Sequence, residues 1–325
     1  MQSSLLRLIL AASAVGFLSQ TVAAASLSLV YQFSEVGSWV ENIAVRPNGR
    51  LLVTRADVPQ LWEVDPGTKT ASLVHTFPNV SSLTGISEIS HDSYAVAGLV
   101  VDLQTFAATP GTCAVFKVTY CKASSSTKPT VSLINEIQEA NFLNGLTTLD
   151  PRHVLIADSG RGVVWHLDVF TGTYFVAVDD PAFKIDATTN IPLGVNGIKI
   201  WHEYLYFTST SQQLFGRIAL DGQGQPTTPA HIIARGFIPD DFSLAEDSTA
   251  YIQTDPLNTV LRVNRDGKVS TVAGALTSLE LAGATSSAWH RGLVGKVLYI
   301  TATGGIAAPV NGTAVEPGKI VKMVL

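Results

Sequence analysis

The sequence predicts an all-β fold, a six-bladed β-propeller whose ring is closed by the N-terminal strand. Three observations lead there. Short β-rich runs recur as LLVTRADV, YAVAGLVV, HVLIADSG, YLYFTSTS, AYIQTDPL and VLYITATG, each followed by a second such run: QLWEVDP, CAVFKVTY, GVVWHLDV, QLFGRIAL, TVLRVNRD and KIVKMVL. Aligned on Trp62, Phe116, Trp165, Phe215, Leu261 and Val321, the pairs recur at 54, 49, 50, 46 and 60 residues, close to the ~40–50 residues of a four-stranded blade. Turn chemistry punctuates them at Pro47-Asn48-Gly49, Thr171-Gly172, Asp221-Gly222 and Asp266-Gly267, where Asn, Asp and Gly favour hairpins. Two β-sandwiches would also give short strands and Gly-rich turns, but a regular sixfold interval favours the propeller.

Taken from the N-terminus, Arg7 precedes the 11-residue apolar run LILAASAVGFL, which ends near VAAAS. That is the layout of a cleaved secretory leader, too short for the roughly 20 residues of a bilayer-spanning helix. Residues 1–25 are expected to be removed and 26–325 to form the propeller, entering the secretory pathway. SLSLVYQF has no partner in its own repeat and is expected to join the last blade. The triplets Asn79-Val80-Ser81 and Asn311-Gly312-Thr313 are candidate glycosylation sites. Cys113 and Cys121 suggest a disulfide in that compartment, yet CAVFKVTYC reads as one strand. At about 3.3 Å per residue such a strand holds the two sulfurs apart unless it breaks.

Composition narrows the function. Charged residues make up 14% and hydrophobic ones 46%, with a net charge of −5 and scattered basic residues. That supplies a large core and argues against a nucleic-acid surface, leaving small, neutral or apolar ligands as the expected partners. No other apolar stretch is long enough to span a membrane. No G-x-S-x-G elbow or P-loop is present, and HEYLY lacks the second histidine of a zinc helix.

Ahead of each strand pair lies one more short segment: WVENIAV, LTGISEI, FLNGLTT, GVNGIKI, PDDFSLA and ATSSAWH. In a propeller the innermost strand of each blade lines the central channel, so Glu41, Asn144, Asn196 and Asp241 should converge on the axis. Any one of them alone could be an ordinary turn former. Four in repeat-equivalent slots point to a site, and four oxygen donors suit a hard divalent cation, calcium or magnesium. Gly145 and Gly197, directly after their asparagines, would permit a sharp turn or close backbone approach.

WVENIAVRPNG, FLNG, GVNGIKI and PDDFSLAED resemble the inner-strand motifs of the gluconolactonase and senescence-marker-protein group of six-bladed propellers, and the likeness spans nearly the whole mature chain. The resemblance implies that Glu41, Asn144, Asn196 and Asp241 hold or surround a catalytic divalent metal, with the aspartate as base toward a lactone. Sugar-lactonase members carry an arginine two residues before the first asparagine, where this chain has Phe142. With Trp39, Phe242 and Trp289 also expected in the pocket beside Asp240, an apolar ligand is favoured over a sugar. WVENIAVR and LGVNGI further resemble a mould branch that includes hetero-Diels-Alderases of tropolone-sesquiterpenoid biosynthesis. The branch implies a cycloaddition, which requires no cofactor; for that chemistry Asn144, Asn196 and Asp241 are the expected catalytic residues, the amides donating to the quinone-methide oxygen and Asp240 or Asp241 assisting loss of water. A metal-dependent lactonase or esterase and a non-catalytic binding propeller are the alternatives.

Overall fold

The computed structural model describes residues 25–120 and 128–325; the expected leader apart from Ala25, and Cys121 of the candidate disulfide, lie outside them. Six four-stranded antiparallel sheets follow one another along the chain. Their innermost strands are Val40–Val45, Ser82–Ser90, Leu143–Thr148, Val195–Trp201, Phe242–Leu244 and Ala284–Trp289. Each innermost strand touches the next, and the sixth touches the first, so the sheets form a closed ring. As the repeat interval predicts, the molecule is a six-bladed propeller. The strand Ser26–Gln32 is the outer strand of the sixth blade, paired from Ser26↔Val324 to Gln32↔Lys319.

The core is divided among the blade interfaces. Six clusters of buried side chains each join two neighbouring blades, for example Leu155 and Val164 with Val195 and Phe207. β-Branched and aromatic residues dominate these runs because they pack well on a pleated sheet covered on both faces. Burying one such side chain contributes about 1.5–3 kcal/mol.

Inner strands start, and second strands end, on the same face of the ring, here called the upper face; Val40 pairs with Arg55 and Val195 with Ser209. Just inside that face the pairing register slips between Val40 and Ile43, Leu83 and Ile86, Leu143 and Leu146, Val195 and Ile198, and Ala284 and Ser287. This repeated bulge turns the side chains between its ends toward the axis. A threonine on the second strand completes it in three blades. Thr54 Oγ1 accepts from Asn42 N at 3.0 Å and donates to Thr84 O of the next blade at 2.7 Å. Thr208 and Thr301 bridge Gly197 to Asp240 and Ser286 to Glu41 in the same way.

The glycines after Asn144 and Asn196 serve close approach rather than turning. A Cβ on Gly145 would stand 2.4 Å from Asn196 O, and one on Gly197 would stand 2.3 Å from Asp241 Oδ1. Cys113 is a free buried thiol whose Sγ donates to Asn141 O, and burial pushes its pKa up to about 12. The neighbouring strand Ala114–Thr119 runs without a break. No helix among the described residues is long and apolar enough to cross a membrane.

Candidate functional site at the upper channel mouth

Strand register sets which residues share a level. Phe242 pairs with Ile252 as Ile43 pairs with Val53 and Ile198 with Phe207. Counting back from these, Glu41, Thr84, Asn144, Asn196, Asp240 and Thr285 occupy one repeat position. Asn42, Gly85, Gly145, Gly197, Asp241 and Ser286 occupy the next. Asp240, rather than Asp241, is thus the counterpart of Glu41, Asn144 and Asn196.

The two levels differ in chemistry. Asp241 is saturated: Lys199 Nζ contacts its two oxygens at 2.7 and 2.8 Å, Asn42 Nδ2 donates at 3.1 Å, Ser286 Oγ at 2.8 Å and Phe242 N at 2.8 Å. This pairing of a buried carboxylate with a half-buried lysine leaves Asp241 neither a free base nor an open cation ligand. Breaking it would leave a buried charge unpaired.

At the mouth, carboxyls crowd together without such a cation. Asp240 Oδ1 accepts from Asn196 Nδ2 at 2.9 Å, and the same amide nitrogen donates to Thr210 Oγ1 at 3.0 Å. Asn196 therefore positions Asp240 and turns only its carbonyl oxygen elsewhere. Glu41 Oε2 accepts from Trp39 Nε1 at 2.6 Å. Asp255, on the turn after the second strand of blade five, has an Oδ1 with no hydrogen-bond partner. Burial raises Glu41 to about 7, against the pull of the Trp39 hydrogen bond and with the repulsion of Asp255 and Asp241. Burial alone raises Asp255 to about 7. Asp240 keeps some surface in the channel yet is surrounded by protein, and burial with the charges of Glu41, Asp255 and Asp241 raises it well above the usual carboxylate range. Burial and mutual repulsion of this kind favour the protonated form of each acid. Asn144 is buried and makes no side-chain hydrogen bond among the described residues, so its amide can serve a ligand.

Aromatic side chains wall one side. Phe142 precedes Asn144 by two residues, and Trp39 stands beside Glu41. Phe106 lies between them, 6.1 Å from Trp39 and 6.4 Å from Phe142 between ring centroids. Two residues expected at the pocket lie elsewhere. Phe242 is fully buried inside its blade, 5.1 Å from the Phe215 ring. Trp289 ends its strand at the opposite channel mouth, donating Nε1 to Leu244 O at 2.7 Å with its ring against Tyr251. Lys199, Asp255 and Phe106 are additional to the sequence-derived set. A lysine inside the apolar run GIKIW signals the first, and the long 54-residue interval signals the insertion that carries Phe106.

Among the described residues no group of three or more His, Cys, Asp or Glu side chains is placed to hold a metal ion. A donor set of Glu41 and Asp240 with the amide oxygens of Asn144 and Asn196 does fit the chemistry of a hard divalent cation, since its acids lack a neighbouring positive charge. The set containing Asp241 does not.

Strand order and ring closure define a six-bladed β-propeller with a polar channel mouth. Solved structures agree on the fold: a luciferin-regenerating enzyme superposes with a TM-score of 0.65 at 11% identity, over 93% of this chain and 95% of its own. The calcium-binding regucalcin of Agrobacterium tumefaciens gives 0.58 at 15% identity, over 93% of each chain. No protein-family model matches the sequence. A protein of Phoma sp. provisionally assigned as a hetero-Diels-Alderase is 30% identical over 298 residues, covering 82% of this chain and 83% of the relative. A second, of Sarocladium schorii with the same provisional assignment, is 28% identical over 82% of this chain and 75% of its own. The chain belongs to this hetero-Diels-Alderase family.

Proposed function

We infer that the chain catalyses an intermolecular hetero-Diels-Alder addition, joining an ortho-quinone methide of tropolone type to a sesquiterpene alkene in fungal secondary metabolism. The observation that carries this reading is the mouth: an aromatic wall beside an unpartnered amide and carboxyls crowded together in burial. Kinship with the hetero-Diels-Alderases supports it.

Such a site acts in two stages. Asp240, held by Asn196, gives a proton to the hydroxyl of a hydroxymethyl precursor, which leaves as water, while the ring hydroxyl returns a proton to the carboxyl cluster. The neutral quinone methide then lies against the aromatic wall with the alkene. One C–C and one C–O bond form as the diene and alkene π bonds are used. Orientation of two reactants can contribute up to about 7–11 kcal/mol. Asn144 Nδ2 donates to the quinone-methide oxygen as charge builds there. No cofactor is required for these steps.

Metal-assisted lactone or ester hydrolysis is the second reading, favoured by the common repeat position of Glu41, Asn144, Asn196 and Asp240. A calcium or magnesium ion bound by them would act as a Lewis acid on a carbonyl. The test generates the quinone methide with a humulene-type polyene, with and without protein and with chelator, and resolves the adducts on a chiral column. One enantiomer formed faster is expected, with Asn144→Ala slowing it about 10- to 100-fold. A racemate at unchanged rate overturns the reading, and hydrolysis of a lactone panel that chelator abolishes would replace it.

The same reading takes residues 1–25 as a secretory leader and Asn79 and Asn311 as glycan acceptors. The leader's composition and the exposure of both asparagines support it, and a mass shift on deglycosylating the secreted protein checks it.

A further inference from the structure

Blade two differs from the others at the upper face. Its inner strand places Thr84 and Gly85 at the two mouth levels and Ser82 at the position that Trp39 holds in blade one and Phe142 in blade three, so it brings no aromatic ring of its own. Between its second strand, Ser93–Leu99, and its third, Ala114–Thr119, the chain inserts a small ribbon that pairs Val101 with Ala108 and Asp102 with Ala107. The ribbon is anchored: Val101 N donates to Ser81 Oγ at 3.0 Å, Val100 N to Thr112 Oγ1 at 3.0 Å and Thr109 N to Val100 O at 2.8 Å. Its turn carries Phe106 at a φ of 56°. Left-handed backbone is ordinary for glycine and strained for an aromatic residue. A glycine there would make the turn without strain, so the ring is held for what it touches. Phe106 is only half-buried, its ring set between those of Trp39, which it meets edge-on at 77°, and Phe142, at 41°.

We propose that Phe106, presented by the blade-two ribbon, completes the aromatic wall and is the residue that seats the hydrocarbon reactant and fixes which alkene face meets the heterodiene. The inference rests on the cycloaddition reading for the identity of that reactant. The placement fits a neutral polyene: the half-buried Phe106 ring is backed by the largely buried rings of Trp39 and Phe142, beside the hydrogen-bonding groups that suit the oxygenated partner. Phe106 is a positioning residue in this scheme and transfers no proton. It also packs on the core cluster of blades two and three, so a merely structural role has to be separated from a ligand-binding one.

The experiment compares the wild-type chain with Phe106→Gly, which relieves the backbone strain, and Phe106→Leu, which keeps apolar packing. Binding of α-humulene alone is measured by titration calorimetry, alongside the melting temperature and, separately, the enantiomeric ratio of the adduct. Phe106→Gly is expected to weaken humulene binding about tenfold or more and erode the enantiomeric ratio with no loss of melting temperature, with Phe106→Leu intermediate. Humulene affinity unchanged within twofold in Phe106→Gly, or a fall in affinity that tracks a fall in melting temperature in both variants, overturns the proposal. Because binding is read without turnover, an inert wild-type enzyme that still binds humulene through Phe106 would defeat the cycloaddition reading, and with it the choice of alkene face, while leaving the hydrocarbon seat at Phe106 standing.

Discussion

Asp255 carries an oxygen, Oδ1, that finds no hydrogen bond, and burial raises its carboxyl from 3.8 to about 7. Between those two pH values the folded chain keeps a proton that the unfolded chain has lost. Its contribution to stability therefore declines as pH rises from about 4 to about 7 and is level above. Asp255→Asn should flatten that slope, raising the melting temperature at pH 8 by several degrees, on the order of 2 kcal/mol, and leaving it unchanged at pH 4. A scan of melting temperature against pH for both chains checks this. At the same scale, Asn144 and Asn196 were legible because FLNG and GVNG repeat. The choice between Asp240 and Asp241 was not, since a bulge sets two residues against one and the period of the strand does not say which of the pair faces the ligand. Phe242 and Trp289 were misplaced for a related reason. Alternation tells inside from outside, but an aromatic residue in a propeller can be apolar core on either side of the channel wall.

The innermost strands show how tightly the elements converge. Gly85, Gly145 and Gly197 each back onto the next blade, where a Cβ would lie 2.3, 2.4 and 2.3 Å from Asn144 O, Asn196 O and Asp241 Oδ1. Gly197→Ala would force backbone apart and push on the Asp241–Lys199 pair, and should cost about 2–4 kcal/mol in a denaturant titration. Gly222→Ala, where nothing lies within 4 Å, is the control and should change little. The sequence offered both a turn and close approach as reasons for these glycines. Only the second holds, and it could not be chosen earlier because the crowding is between strands roughly fifty residues apart in the chain.

Across the whole molecule, the sixfold interval carried the architecture. The two long intervals, 54 and 60 residues, reflect the blade-two ribbon and the segment 303–318 between the second and third strands of blade six. Removing residues through Gln32 would strip the outer strand from Lys319–Val324 and expose an edge prone to association. The truncated chain should lose cooperative unfolding and form larger species in size-exclusion chromatography, whereas cutting before Ser26 should leave both unchanged. The pairing of Ser26 with Val324 also brings the start of the first strand and the end of the last side by side at one point of the rim. The ring therefore has no intrinsic first blade: with those ends joined by a short linker and new ones opened between two other blades, the permuted chain would describe the same six sheets from a different starting place.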